Sequence, residues 1–410
     1  MPSTFFILAG EASGDLHAAK LMLSIRAREP QARFVGMGGK AMAAAGLDVA
    51  KDLDGMQVVG FWEVAKRYNF FVRVGDLLLD RIKQERPAAL ICVDYPGFNL
   101  RFAERVKKLG IPVLYYIVPQ VWAWKPQRAK KMARLVDRAF CVFDFEPPFF
   151  EKFGLKTTFV GHPLTDHAPG YSAPKLDFST ASPASTGRRT VALLPGSRSV
   201  EFNAHVAPMC EGFNLAQRKL GNLRGLLSIP KGIVTPHAIV QAGDSFELKT
   251  TAAAAVPETT IVLASADAAD AGVVARAAGS DAAHSALLPA AADFSVVKSG
   301  TSTLEAGLAG HPLCVFYRGS WASYAIAHQL VNIPVISLIN IVLGRYAVPE
   351  LLQEEVNPAR IAQEIERGLT DEKYRAQQQA ALAELPKKLG GPGASERAAC
   401  GILDYVQGRR

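Results

Sequence analysis

The sequence predicts an α/β protein with two Rossmann-like domains facing a cleft, followed by C-terminal helices. Apolar strand-like segments alternate with helix-like segments in two successive series, and such alternation is typical of parallel sheets covered by helices. A stretch rich in Pro, Ser, Thr and Ala, residues 165–187, separates the two series and has the composition of a linker. The chain of 410 residues is also too long for one hydrophobic core.

The first series predicts an N-terminal domain over residues 1–165. Its short apolar segments predict strands at residues 4–9, 33–36, 88–94, 113–117, 139–143 and 157–160. The segments between them predict helices at residues 14–28, 72–85, 99–109 and 126–135.

The second series begins at Thr190 and predicts a C-terminal domain over residues 166–345. The Ala-rich stretch 250–292 carries few turn signals, so the sequence does not define element boundaries there. Residues 346–410 predict a charged helical segment that packs back on the chain.

Composition restricts the class of protein. Apolar residues make up 49% and charged residues 20% of the chain, and no apolar run reaches the roughly 18 to 20 residues that span a bilayer. The N-terminus lacks the basic and long apolar regions of a signal peptide, which predicts a cytoplasmic protein. Five widely spaced cysteines predict reduced thiols rather than disulfides or a metal cage. The formal charge of +8 indicates an anionic partner, which charge alone cannot identify as acidic lipid, nucleic acid or a phosphorylated substrate.

Two motifs predict a phosphate site. The runs 194–201 and 299–305 each follow a predicted strand and open a predicted helix. A helix start offers free N–H donors and a positive dipole end to an anion, and small residues let the anion approach. The candidate residues are Gly196, Ser197, Arg198, Glu201, Gly300, Thr301, Ser302, Thr303 and Glu305.

Asp94 is the candidate general base. It follows the buried strand 88–93 at its C-terminal end, where ligands bind in open α/β sheets. A carboxyl group at such an edge can have a raised pKa and accept a proton at neutral pH. The alternative is that Asp94 only caps the turn or the next helix.

Other motifs point away from common nucleotide enzymes. The loop 10–15 has glycines spaced G-x-x-x-G, which is not the dinucleotide fingerprint, and no Walker loop is present. Asp52 and Asp54 form a D-x-D tripeptide of the kind that binds metal in some glycosyltransferases, but two acids at this spacing occur easily by chance. We expect a solvated loop there and no cofactor or metal.

The ordered motifs resemble the lipid-A-disaccharide synthase family from residue 9 to Glu355. The matching segments are residues 9–15, 59–64, 94–99, 119–124, 145–146, 160–163, 194–201, 299–305 and 350–355. The resemblance implies a metal-independent, inverting glycosyltransferase of GT-B architecture at the inner face of the cytoplasmic membrane. It would transfer 2,3-diacylglucosamine from UDP-2,3-diacylglucosamine to the 6-hydroxyl of 2,3-diacylglucosamine 1-phosphate, forming a β-1,6 bond and releasing UDP.

The resemblance also implies roles for single residues. Asp94 matches the proposed base, and Arg198 with the helix starts near Ser197 and Ser302 would stabilise the leaving diphosphate. Glu305 matches a position that often binds ribose hydroxyls, or is simply an acid favoured in a first helical turn. Three residues would serve the acceptor side: Glu11 and Ser13 line it, and Asn99 orients the base. Arg318 would approach a phosphate or form a structural ion pair.

The chain departs from the common family pattern at several positions. Gly97 stands where many relatives have a second acid, and Asp144 and Ile339 replace prolines. The match is weak over residues 230–292, which leaves the contacts to the nucleotide base undefined.

A membrane patch is predicted because the substrates carry acyl chains. Its apolar residues are Trp62, Val64, Tyr68, Phe70, Phe71 and Val72, and its cations are Lys66, Arg67 and Arg73. A second basic group, which would hold the acceptor phosphate, comprises Lys125, Arg128, Lys130, Lys131 and Arg134. Both groups could instead be a core edge and a solvated helix face. No nucleic-acid-binding signature accompanies the charge.

Two other functions stay open from the sequence. One is a different UDP-sugar enzyme of the GT-B class, such as an N-acetylglucosaminyltransferase or an epimerase. The other is a catalytically silent protein that binds a nucleotide sugar or a lipid. The resemblance also implies a homodimer with exchanged C-terminal segments.

Overall fold

A computed structural model describes residues 3–56, 67–124, 126–167, 187–230, 232–242, 244–255, 260–264, 288–319 and 335–408. The chain forms two compact units, one of residues 1–168 with 389–410 and the other of residues 169–388. The partition differs from the predicted boundary at residue 345, because the C-terminal segment is divided between the units. The predicted linker lies almost wholly outside the described residues.

The first unit contains a parallel sheet of seven strands in the order β3-β2-β1-β4-β5-β6-β7. The strands are β1 Thr4–Ala9, β2 Arg33–Met37, β3 Leu47–Lys51, β4 Ala89–Val93, β5 Val113–Tyr116, β6 Arg138–Cys141 and β7 Thr157–Phe159. The central strands β1 and β4 are almost continuously apolar and buried, as expected where helices cover both faces of a parallel sheet. All the predicted strands are present, and β3 is an additional edge strand.

Helices cover the sheet of the first unit and include one from the C-terminal end of the chain. Their bounds are Ala12–Arg28, Lys40–Ala44, Tyr68–Glu85, Pro96–Lys107, Val121–Trp124, Arg128–Leu135, Glu146–Glu151 and Ala394–Gln407. The last helix packs against helix 12–28, and its Ala398, Ile402 and Val406 join the same core as β1. The C-terminal segment of this chain therefore completes the first unit.

The second unit contains a six-stranded sheet in the order β12-β9-β8-β13-β14-β15 and a separate hairpin, β10-β11. The strands are β8 Arg189–Leu194, β9 Leu223–Ile229, β10 Val234–Ala242, β11 Ser245–Ala255, β12 Thr260–Ala264, β13 Phe294–Lys298, β14 Leu313–Tyr317 and β15 Glu350–Leu352. Strand β12 pairs antiparallel with β9, whereas the other ladders of this sheet are parallel. Its helices are Ser199–Leu220, Thr301–Leu308, Leu338–Leu343, Pro358–Thr370, Glu372–Leu382 and Leu385–Lys388.

The registers of the parallel strands determine which loops meet. Ala9 pairs with Val93 at the ends of β1 and β4, so the loops that begin at Gly10 and Asp94 start side by side. In the second unit Leu194 pairs with Val297, so the loop after β8 starts beside Lys298. Both sheets thus gather their candidate residues at the carboxyl edge, where α/β sheets bind ligands.

Candidate active site

The turn after β4 holds Asp94 in an unusual backbone conformation. Asp94 and Tyr95 have φ angles of 45° and 47°, a left-handed conformation that is uncommon for residues other than glycine. Two side chains hold the Asp94 carbonyl: the Asn99 amide donates to it at 2.7 Å and the Tyr115 hydroxyl at 2.6 Å. The Tyr95 hydroxyl donates to the Met56 carbonyl at 2.6 Å. The surrounding residues therefore fix a turn that its own residues disfavour.

Asn99 lies beneath this turn and supports it through hydrogen bonds. Its side chain is fully buried, and its amide also donates to the Val93 carbonyl at 3.3 Å. The sequence predicts that Asn99 contacts substrate and orients the base. It contacts the backbone of Asp94, not its carboxyl group, so its position is that of a residue that shapes the loop.

The Asp94 carboxyl group forms a pair with Glu11. A hydrogen bond joins the two side chains, and burial, the charge of Glu11 and this bond together raise the pKa of Asp94 from 3.8 to about 7. Two neighbouring carboxylates repel each other when both are ionised, which favours the protonated form of Asp94. A carboxyl group that titrates near neutral pH can act as a general base in the cell.

Glu11 is itself positioned by the loop that follows β1. It precedes helix 12–28 in an extended conformation, and the Ser13 hydroxyl donates to its carboxylate at 3.3 Å. The Tyr95 ring lies so close to Gly10 that a Cβ atom there would stand 2.1 Å from it. The loop after β1 therefore packs directly on the Asp94 turn, and Ser13 is exposed beside it.

Asp15 has a structural role that the sequence analysis did not foresee. This buried carboxylate accepts hydrogen bonds from the backbone N–H groups of Gly39, Ala41 and Met42 at 2.7, 2.9 and 3.1 Å. It thus satisfies donors at the start of helix 40–44. Of the two acids in the 9–15 motif, Glu11 is the one that pairs with Asp94.

A second buried carboxyl group joins two of the motifs. Glu146 accepts the Trp122 indole N–H at 3.0 Å and the N–H groups of Val142 and Phe143 at 3.0 and 3.1 Å. Burial raises the pKa of Glu146 to about 7 despite these donors. The Trp122 ring also stands edge-on to Phe145, with centroids 4.9 Å apart. The 119–124 and 145–146 motifs therefore contact each other in the folded chain.

The second unit gathers charges between two strand ends. The Arg198 guanidinium lies 3.1 Å from Oε1 of Glu201, and the Lys298 ammonium lies 2.9 Å from the same oxygen. Gly196, with φ 119°, brings its backbone against Glu201: a Cβ atom there would stand 3.2 Å from Oε2. Arg198 directly precedes helix 199–220, and its side chain is 52% exposed. The cluster combines a free helix start with two cations.

The motif 299–305 forms the neighbouring helix start. Gly300, with φ 154°, precedes helix 301–308, so Thr301 begins the helix and is exposed. Thr303 is buried and its hydroxyl donates to the Gly300 carbonyl at 2.7 Å, so it holds the turn at the start of the helix. The Ser302 hydroxyl donates to the Lys298 carbonyl at 3.4 Å. Glu305 is half-buried in the second turn.

His205 connects two loops at this edge and was missed from the sequence. The buried ring places Nδ1 2.8 Å from the Pro195 carbonyl oxygen and Nε2 3.0 Å from that of Arg318. Burial lowers the pKa of His205, which favours the neutral ring with one nitrogen accepting from the Arg318 N–H at 3.2 Å. His205 therefore fixes the backbone on both sides of Lys298, while the Arg318 side chain is exposed.

The described part of the predicted membrane patch has two different faces. Phe70 and Phe71 are half-buried against the core, whereas Tyr68 and Val72 are 55% and 39% exposed on helix 68–85, together with Leu77 at 50%. Trp62, Val64 and Lys66 lie outside the described residues.

In the second basic group, Lys131 pairs with Glu104 at 2.7 Å, and Lys125 lies outside the described residues.

The D-x-D tripeptide forms a local turn. Lys51 pairs with Asp52 and donates to the Asp54 carbonyl at 3.0 Å, and the Asp54 N–H donates to the Asp52 carboxylate at 3.1 Å. Among the described residues, no group of three or more His, Cys, Asp or Glu side chains is arranged to share a metal ion. Within those ranges, no helix combines the length and the apolar character needed to cross a bilayer.

Comparison with known proteins identifies the family. The chain matches the lipid-A-disaccharide synthetase family over residues 5–269 and 239–402. It is 39% identical over 401 residues to a lipid-A-disaccharide synthase of Anaeromyxobacter dehalogenans, covering 98% of this chain and 97% of that protein. The chain therefore belongs to the lipid-A-disaccharide synthetase family, as its motifs predicted.

Solved structures show the same fold at low sequence identity. A UGT transferase from Siraitia grosvenorii in complex with UDP has a TM-score of 0.59 and 12% identity, covering 98% of this chain and 99% of that one. The calicheamicin glycosyltransferase CalG4 has a TM-score of 0.55 and 15% identity, covering 99% and 98%. The fold is that of the GT-B glycosyltransferases, which confirms the predicted fold class.

Proposed function

We propose that this member of the family joins two acylated glucosamines. It transfers 2,3-diacylglucosamine from its UDP donor to the 6-hydroxyl of 2,3-diacylglucosamine 1-phosphate, with inversion at the anomeric carbon. The products are the β-1,6-linked disaccharide 1-phosphate and UDP. Asp94 carries the proposal, because its raised pKa and its place at the carboxyl edge of the first sheet suit a base for a sugar hydroxyl.

In the proposed reaction, Asp94 accepts the proton of the acceptor 6-hydroxyl. As that O–H bond breaks, the oxygen forms a bond to the anomeric carbon, and the bond from this carbon to the diphosphate oxygen breaks on the opposite side. UDP leaves with the electron pair. Glu11 tunes the proton affinity of Asp94, and with Ser13 it offers hydrogen-bonding groups to the acceptor sugar.

The second unit is proposed to bind the donor. Backbone N–H groups at Ser197, two residues before helix 199–220, and at Thr301, the first residue of helix 301–308, would face the diphosphate, with Gly196 and Gly300 allowing close approach. Arg198 would stabilise the charge that develops on the leaving group. Glu305 is proposed to bind the ribose hydroxyls and Arg318 a phosphate. The proposal assigns this stabilisation to protein groups and so includes metal independence.

The acyl chains of both substrates require a bilayer surface. We assign contact with the anionic inner face of the cytoplasmic membrane to the exposed side of helix 68–85, where Tyr68, Val72 and Leu77 are exposed and Arg67 and Arg73 supply positive charge. Phe70 and Phe71 support that helix from the core side. The homodimer implied by the family resemblance remains part of the proposal.

Product analysis tests the proposed reaction. The purified protein is incubated in mixed micelles with both diacylated substrates, or with UDP-N-acetylglucosamine in place of the acylated donor, each with and without EDTA, and the products are identified by mass spectrometry and NMR. A β-linked disaccharide 1-phosphate formed from the diacylated substrates at the same rate with and without EDTA is the expected result. Turnover of UDP-N-acetylglucosamine instead would indicate a different sugar transferase or an epimerase. UDP binding without turnover of either donor would indicate a binding protein, and dependence on Mg²⁺ or Mn²⁺ would refute metal independence.

A further inference from the structure

Lys298 directly precedes the 299–305 motif, and the sequence analysis gave it no role. It is the last residue of β13, between the strand ends of β8 and β14. Its Cγ lies 3.5 Å from where a Cβ of Gly196 would stand, and its ammonium lies 3.7 Å from the corresponding point at Gly300. The side chain therefore runs from one glycine turn to the other.

The environment of Lys298 restrains the ammonium group. Only 14% of the side chain is exposed, and Glu201 holds the ammonium at 2.9 Å. The Tyr317 ring centroid lies 5.7 Å away, within cation–π range. Because an ordered lysine loses rotamer freedom and hydration, such restraint on a cation at a strand end calls for an explanation beyond a surface ion pair.

The charges around Glu201 do not balance. Arg198 and Lys298 both contact Oε1 of this single carboxylate, so the cluster carries one excess positive charge. The other oxygen, Oε2, is buried without a hydrogen-bond partner among the described residues. A second anion between the glycine turns would complete the charge balance, and the adjacent helix starts favour the same sign of ligand.

We infer that Lys298 binds the diphosphate of the nucleotide donor, with Glu201 as the positioning residue that aims its ammonium between the turns at Gly196 and Gly300. The inference rests on the proposed function for its nucleotide. Lys298 and Arg198 would then contact the same diphosphate and stabilise the charge that it gains as it leaves. The competing explanation is that Lys298 only neutralises Glu201 and so stabilises the first turn of helix 199–220.

Binding of nucleotide fragments separates these explanations. UDP affinity is measured by titration calorimetry, and uridine affinity by ligand-observed NMR, for the full-length protein and its Lys298→Met and Lys298→Arg variants. We expect Lys298→Met to weaken UDP binding about 10-fold or more, with uridine binding unchanged, and Lys298→Arg to retain part of the affinity. Lys219→Met is the matched control, because Lys219 also pairs with one glutamate, Glu366 at 2.6 Å, but is 65% exposed.

Each outcome bears on a different statement. Unchanged UDP affinity in a folded Lys298→Met variant would overturn the inference, and so would an equal loss of UDP and uridine binding, which signals a structural role. If Lys298→Met does not fold, the Lys298→Arg and Lys298→Gln variants replace it. For them too, the loss of UDP affinity is compared with the loss of uridine affinity. A wild-type protein that binds neither compound would instead refute the donor site of the proposed function, and the inference would fall with it.

Discussion

Replacing Asp94 by Asn should stabilise the protein at neutral and alkaline pH while abolishing catalysis. Asn has nearly the same volume and tolerates the left-handed backbone at this position, where φ is 45°. It cannot ionise, so the repulsion from Glu11 and the cost of burying a charge both disappear. When a residue supports catalysis at a cost in stability, its replacement should raise the free energy of unfolding and lower the activity.

The magnitude follows from the pKa. Burial, first, and then Glu11 raise the pKa of Asp94 from 3.8 to about 7 in the folded protein. A raised pKa means that the favourable contribution is complete below about pH 4 and is lost as the pH rises through 7. At 1.36 kcal/mol per pKa unit, the full cost above pH 7 is on the order of 2 to 4 kcal/mol, the lower figure allowing for the proton shared with Glu11.

The assay is urea unfolding of the wild-type and Asp94→Asn proteins between pH 4.5 and 9, followed by circular dichroism. The stability advantage of Asn should be small at pH 4.5, grow up to pH 7 and stay constant above it. Asp80→Asn is the control, because Asp80 is 71% exposed and its removal takes away the same charge. An Asp94→Asn protein that is less stable than wild type at pH 8 would refute the reasoning and show that the carboxylate caps the turn.

Three further predictions concern the proposed reaction. Glu11→Gln should move the acid limb of the kcat/KM profile to lower pH by about one unit or more, because the like charge that raises the pKa of Asp94 is removed; an unmoved limb would contradict the pair. Arg198→Ala should weaken UDP binding about 10-fold, measured by calorimetry, and equal affinity would exclude the contact. Changing Tyr68, Val72 and Leu77 together to Ser should reduce sedimentation with anionic vesicles even at high salt; wild-type sedimentation would place the membrane contact elsewhere.

The sequence predicts the first unit better than the second for a physical reason. A parallel strand buried on both faces is a short apolar run bounded by loops, and β1, β4 and β5 are recognisable in isolation. Strand β3 is an exposed edge strand without that signature. The hairpin β10-β11 presents mostly exposed residues, many of them alanine and threonine, so no contrast in hydrophobicity marks its limits.

Site residues divide in a similar way. Asp94, Glu11 and Arg198 follow recognisable strands or precede recognisable helices, so their place at a ligand-binding edge could be predicted. His205 contacts Arg318, which lies more than a hundred residues later in the chain. Lys298 contacts Glu201, which lies nearly a hundred residues earlier. Only the strand order reveals those partners. Asn99 and Thr303 were predicted as substrate-binding residues, but their side chains are buried. Nothing in the sequence around them indicates that these side chains point into the protein.

The two carboxyl edges use the same architecture with opposite electrostatics. The register of β1 with β4 brings two carboxyl groups together, and burial together with the charge of Glu11 raises the pKa of Asp94 to about 7. The register of β8 with β13 brings a lysine and an arginine onto one glutamate and leaves a positive excess. In the proposed reaction, the first arrangement raises the pKa of the base and the second provides positive charge for the diphosphate. Which chemistry a strand end supports is therefore set by the charge on its neighbouring strand as much as by its own residue.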